Sequence, residues 1–140
     1  MTILDTDHLS FLDQDTLEGF NLGRRLAALP EEDVAVTIVT YEEQMRGWLS
    51  YVARANMPSR QIEAYRKLRF HVERFRRIPL LDYNEKAAAE FERLRQARVR
   101  IGAIDLKIAA IALADDATLL SRNLNDYHKV PGLRVEDWSV

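Results

Sequence analysis

Cysteine is absent from the 140-residue chain, which removes disulfide staples, zinc–thiolate sites, iron–sulfur clusters and thiol nucleophiles together. Any metal must then be held by oxygen or imidazole. Glycine and proline are scarce, with five and four residues, so low-complexity tracts are excluded. No apolar run approaches the roughly 18 residues that a membrane-spanning helix needs. Acids stand near the N-terminus, in Asp5, Asp7 and Asp13, where a secretory signal carries bases. The expectation is a cytoplasmic protein with no membrane partner. There is no glycine-rich phosphate loop of Walker or Rossmann type and no Gly-x-Ser-x-Gly elbow, so serine-nucleophile chemistry has no support. His8, His71 and His128 show no metal-ligand spacing and read as packing or surface groups.

What is present suits one compact unit. Apolar residues make up 47% and charged residues 30% of the chain, enough for a single core, and one domain over residues 1–140 is expected. The net charge of −2 hides an internal separation. Residues 54–100 carry 13 Lys or Arg and 6 Asp or Glu, whereas the two flanks together carry 7 and 16. A basic middle between acidic ends suggests a polyanionic partner on one surface and divalent cations on another, although solvated helix faces would give the same count.

Periodicity separates strands from helices. Thr2–Leu4, the β-branched run Val34–Val39, Ala117–Leu120 and, more weakly, Leu133–Val135 read as buried strands. Leu9–Leu12 and Leu17–Leu29 have helical spacing, closed by the polar Pro30-Glu31-Glu32-Asp33. Between Pro58 and Pro79, the residues Ile62, Tyr65, Leu68, Val72 and Phe75 mark one amphipathic helix with a basic outer face. Trp48, Tyr51, Phe70 and Phe75 read as core or interface groups. Ala87, Ala88, Phe91 and Leu94 mark a further helix, and Ile104, Ile108, Ile111 and Ala112 one so apolar that it should be buried. Strands separated by helices predict a parallel sheet covered by helices.

In such sheets ligands collect beyond the carboxyl ends of the strands, and the acids fall there. Asp5 and Asp7 follow the first strand, Glu42 and Glu43 follow the second, Asp105 opens the apolar helix, and Asp126 lies just past Ala117–Leu120. Carboxylates from four segments repel one another unless cations or protons neutralise them. Mg²⁺ or Mn²⁺ is the natural counter-charge for an all-oxygen donor set. Each acid also has a structural use: Asp105 suits a helix start, worth about 1 kcal/mol, Glu42 and Glu43 suit a first helical turn, and Asp126 suits a polar turn.

In this order, the pieces resemble a PIN domain, and in particular the VapC-type toxin ribonucleases of toxin–antitoxin modules. Ile3-Leu4-Asp5-Thr6-Asp7 is similar to the family's first-strand motif, in which the first Asp is a metal ligand. Thr37–Gly47 is similar to its strand followed by Glu and, four residues later, Gly, which selects Glu43 over Glu42. Ile101–Ala110 resembles its Gly-x-x-Asp-x-x-Ile-Ala-Ala motif, with Asp105 as the third acid. Ser121–Tyr127, followed by Val130–Leu133 and Glu136–Trp138, is similar to its closing segment. Asn123 stands where many relatives carry a fourth acid, a duty that could pass to Asp126 or to water, and Asp7 stands where Asn is common.

The resemblance implies an α/β fold of the RNase H-like/5′-nuclease-like kind, a central parallel sheet flanked by helices, and Mg²⁺-dependent endonucleolytic cleavage of RNA, with Mn²⁺ as a substitute. Asp5 and Asp105 would anchor the ion, Glu43 and Asp126 would complete the site directly or through water, and Ser121, Asn123 and Asp7 would support it. It also implies a small antitoxin partner and a homodimer. Two rivals remain at this level. One is a haloacid-dehalogenase-like phosphatase, with Asp5 as nucleophile and Asp7 as acid/base, although Leu9 and the pair Asp115-Asp116 fit its pattern poorly. The other is a PIN-like scaffold that binds RNA or protein without cutting.

Overall fold

Two aliphatic residues in succession, Ile3 and Leu4, point to opposite faces of a central strand and start two separate cores. The computed structural model describes all 140 residues. Its strands are β1 (Thr2–Leu4), β2 (Val34–Thr37), β3 (Leu80–Leu81), β4 (Thr118–Leu120) and β5 (Arg134–Glu136), all parallel, in the spatial order β3-β2-β1-β4-β5. The helices are α1 (Thr6–Phe11), α2 (Leu17–Leu26), α3 (Ile38–Arg54), α4 (Pro58–Phe75), α5 (Glu85–Gln96), α6 (Ala103–Ala114) and α7 (Leu124–Tyr127). This is the expected α/β architecture, a parallel sheet flanked by helices. None of the helices is long and apolar enough to cross a membrane.

The side-chain alternation of strands divides the interior. Ile3 and Leu119 join a cluster with α5 and α6, while Leu4, Val36 and Leu120 join another with Leu9, Leu22 and Phe75. Helix α6 is apolar on every side apart from Asp105 and Lys107 in its first turns, and is accordingly buried, from Leu106 and Ile108 through Ala112. β1 is the centre strand, paired with β2 through Ile3 and Ala35 and with β4 through Ile3 and Leu119, so Asp5 emerges in the middle of the sheet's carboxyl edge.

Several boundaries differ from the sequence expectation. The run Val34–Val39 is a strand only to Thr37: the Thr37 hydroxyl accepts from the Thr40 amide at 3.0 Å, and this cap starts α3 inside the β-branched stretch. The first helix begins at Thr6, not Leu9, and the next ends at Leu26. Glu31–Asp33 is a short 3-10 turn. Two-residue β3 was too short to be seen as a strand.

The largest correction concerns α4. Of its expected apolar stripe only Phe75 is buried, whereas Ile62 and Tyr65 are 57% and 58% exposed and Val72 is exposed as well. Ala64, His71 and Phe75 face inward instead. The outer face of α4 is therefore mixed, with aliphatic and aromatic side chains standing among the Arg and Lys residues.

Candidate active site

The site is built on the end of β1. Asp5 is 6% exposed, its amide donates to the Leu120 carbonyl at 2.9 Å, and its backbone is still extended where α1 begins. Ser121, the residue that follows β4, donates from Oγ to Asp5 Oδ2 at 2.7 Å and lies 3.5 Å from Asp7 Oδ2. The same Oγ accepts from the Asn123 amide at 3.0 Å, so the turn after β4 is tied to the end of β1.

Asp105 stands on the first turn of α6, as its third residue, and is not the N-cap, which is Gly102. Asn123 reaches it from above: its Nδ2 donates to Asp126 Oδ2 at 3.1 Å and lies 3.5 Å from Asp105 Oδ2. Asn123 thus bridges two of the expected acids. Glu43 is exposed on α3 and accepts from the Thr6 hydroxyl at 2.7 Å, which links the second acidic segment to the first. Glu42 points elsewhere, into an exposed ion pair with Arg46.

The electrostatics register this convergence. Burial pushes the Asp5 carboxyl up to about 6; the Ser121 hydrogen bond opposes the shift, and Asp7 and Asp105 add to it. Asp105 is likewise raised, by burial first and then by the negative fields of Glu43, Asp126 and Asp7, while Tyr127 opposes the shift. Asp7 behaves in the opposite way. Although burial works against its charge, hydrogen bonds from His8 and the Arg122 amide hold it below the usual carboxylate range. The His8 tautomer follows from its neighbours. Trp138 donates its amide to Nε2 at 3.1 Å, so the proton sits on Nδ1 and is given to Asp7 Oδ1 at 2.7 Å. His8 is therefore a buried structural pin, in keeping with its reading as a packing group.

Two participants escaped the sequence reading. The Tyr127 hydroxyl is buried beside Asp5 and Asp105, within reach of both carboxylates, and is pushed far up by burial and by those two groups. Only its position next to Asp126 could have signalled it. Thr6, which orients Glu43, stands in the first-strand motif but carried no expected role.

The donor set is carboxylate and hydroxyl oxygen, and neither Asp5 nor Asp105 is paired with a cationic side chain. Such a set suits a hard cation. No three acids or histidines close into a preformed cage, so an ion here would be held by two carboxylates and water. A model of the family described as "PIN domain" matches residues 4–133. The chain belongs to the PIN-domain family. This PIN domain is 33% identical over 66 residues to Ribonuclease VapC2 of Rickettsia felis, a match covering 44% of the chain and 49% of that protein. The chain thus spans about half the length of the curated relatives it matches. Its fold is similar to the structure of VapBC-1 from nontypeable Haemophilus influenzae, with a TM-score of 0.75 at 22% identity over 99% of this chain and 98% of that one. A toxin–antitoxin complex from Klebsiella pneumoniae contains a similar chain, with a TM-score of 0.66 at 21% identity over 99% and 98%.

Proposed function

We propose that this PIN domain is a divalent-metal-dependent endoribonuclease, the toxin of a toxin–antitoxin pair. The observation that carries the reading is the pair of buried Asp5 and half-buried Asp105 at the carboxyl edge of the sheet, Asp5 pushed up to about 6 by burial and Asp105 raised by burial and by the fields of Glu43 and Asp126 from two further segments. An ion pair would have been the cheaper way to bury such groups. Two unpaired, raised carboxylates represent folding energy given up for a bound cation.

Asp5 and Asp105 would hold Mg²⁺, for which Mn²⁺ can substitute, with Glu43 and Asp126 engaged directly or through water. When bound, the ion would supply charge stabilisation for in-line displacement at phosphorus and a water acidified by its field. The protein groups have their own tasks. Ser121 fixes the Asp5 carboxylate. Asn123 holds Asp126 beside Asp105, so an amide at position 123 organises the fourth acid. Asp7, pinned by His8 and the Arg122 amide, keeps the rim negative and anchors the turn after β4.

The phosphatase alternative requires Asp7 to carry and deliver a proton, but Asp7 is stabilised as the anion. It also requires an adjacent acidic pair after a strand, whereas the pair Asp115-Asp116 precedes β4 and Asp116 pairs with Arg134. RNA is the proposed substrate and a small antitoxin the proposed partner, with a homodimer as the proposed assembly. The similarity to Ribonuclease VapC2 supports the substrate, and that to a chain of a toxin–antitoxin complex supports the antitoxin.

The test is cleavage of total RNA by the purified protein with and without Mg²⁺, beside Asp5→Asn and Asp105→Asn. Mg²⁺-dependent cutting, lost in both variants, is expected. Cutting that survives both substitutions, or hydrolysis of phosphate monoesters alone, overturns the proposal.

A further inference from the structure

Helix α3 carries a stripe that the acid site does not account for. Glu43, Gly47, Tyr51 and Arg54 recur at intervals of four, four and three, one face of the helix. Along it runs a groove of about 340 Å³, lined also by Trp48 and, from α4, by Lys67. It begins at Glu43, so it opens directly from the acid cluster, and over about 16 Å it reaches Arg54. A second hollow, sharing Tyr51 and Arg54, continues it to Arg60.

Gly47 is the member that internal packing does not explain. It sits inside a 17-residue helix, where only proline is less favourable, yet a Cβ placed on it would meet nothing within 4 Å. No internal contact requires a glycine there. Its absent side chain leaves the groove open. The aromatic wall is held in place: the Trp48 ring lies 4.1 Å from His71 and 5.6 Å from Tyr51, and the Lys67 ammonium lies 5.3 Å over the Tyr51 ring. The ion pairs of α3 and α4 leave out Arg54 and Arg60, which therefore keep their charge for something else, while Lys67 is held by Glu63 at 3.2 Å only in an exposed i,i+4 pair, a weak contact that a phosphate can displace. Aromatic rings, uncommitted cations and an open backbone floor, continuous with a carboxylate cluster, match the chemistry of a single-stranded polynucleotide, whose bases stack and whose phosphates seek Arg and Lys.

We propose that this groove is a nucleotide subsite of the nuclease, seating a base of single-stranded RNA next to the scissile phosphate against Trp48 and Tyr51, with Lys67 and Arg54 on its backbone. It rests on the nuclease reading and adds to it the strand's path away from the cut.

The probe is a labelled single-stranded oligoribonucleotide of mixed sequence, bound in EDTA and, separately, cleaved with Mg²⁺. Gly47→Leu fills the groove with a good helix former, so its melting temperature should not fall below wild type, while RNA affinity drops about tenfold or more. Trp48→Ala should weaken binding about 5- to 100-fold through lost stacking. Lys67→Ala and Arg54→Ala should each flatten the plot of log affinity against log salt by about 0.7, a readout that a merely structural role would not move. Unchanged affinity and slope in Gly47→Leu and Lys67→Ala overturn the subsite. So does a Gly47→Leu variant whose sole change, in sedimentation velocity, is loss of self-association, since the groove would then seat a second copy of the chain. The two readings fail separately. Wild type that binds RNA through the groove but cuts nothing ends the nuclease reading alone, cutting that ignores Gly47→Leu ends the subsite alone, and no RNA binding ends both.

Discussion

At the floor of the acid site Asp5 is buried, bonded by Ser121, crowded by Tyr127 and raised to about 6; at its rim Glu43 is exposed and tethered by one hydroxyl, and Asp126 is shared between Asn123 and Lys129. The functional group, a carboxylate, is the same in both places. The floor is a preorganised pair, Asp5 and Asp105, whose charge is costly without a counter-ion. The rim is adjustable, able to reach an ion or a water once the floor is occupied. Floor and rim should therefore respond differently to mutation, pH and metal.

Activity should separate them most. Asp5→Asn and Asp105→Asn should each lower RNA cleavage on the order of 10³-fold, measured as single-turnover rates at saturating Mg²⁺. Asp126→Asn should cost only about 10- to 100-fold, the usual loss when a group that orients metal ligands is removed. Equal losses at floor and rim would erase the distinction.

Stability should separate them next. Since the Asp5 carboxyl is raised from 3.8 to about 6 on folding, the folded state binds the proton more tightly than the unfolded one. Its favourable contribution is fully present below about 3.8 and is lost as pH rises through about 6. In EDTA, raising the pH from 5 to 7.5 should therefore lower stability by about 1.4 kcal/mol from this group, with Asp105 adding in the same direction. The Asp5→Asn variant should show a flatter profile and a higher melting temperature at pH 7.5. Divalent metal should raise the melting temperature of wild type more than that of the variant. Equal metal shifts would count against a cation at Asp5.

A smaller effect tests the floor alone. The Tyr127 hydroxyl is buried against Asp5 and Asp105 and steadies the Asp105 carboxylate, and a buried hydrogen bond to a charged group contributes about 1.5–3 kcal/mol. Tyr127→Phe should destabilise the metal-free protein at pH 7.5 by about 1–2 kcal/mol, read from the urea midpoint. Stabilisation of that size would show that the hydroxyl is unbonded.

How far such features were legible in the sequence depended on whether a residue's role is local. Asp5 at the end of an apolar run and the almost entirely apolar α6 announce themselves, because strand and buried-helix patterns are short-range. Thr37 hid the start of α3, since a capping threonine and a strand threonine look alike until the chain turns. The outer face of α4 was misread because helical spacing identifies a face without saying what it meets: Ile62 and Tyr65 keep the period of a core stripe yet face solvent. Tyr127 and Thr6 were invisible because their partners lie on other elements, brought near by the sheet order β2-β1-β4.

The finest contrast lies between adjacent residues of α3. Glu42 and Glu43 are indistinguishable by composition, and family resemblance alone favoured the second. Successive helical residues point about 100° apart, which here sends one inward to the Thr6 hydroxyl and the other outward to Arg46. Glu42 and Arg46 are both mostly exposed, and such an i,i+4 pair contributes about 0.3–0.5 kcal/mol. Glu42→Gln should therefore shift the urea midpoint barely beyond error and leave the cleavage rate within about twofold of wild type. Glu43→Gln keeps the Thr6 hydrogen bond but removes the charge, and should slow cleavage about 10- to 100-fold. If the two variants cut equally well, the acid site ends at Asp5, Asp105 and Asp126, and α3 serves the strand's path but not the reaction.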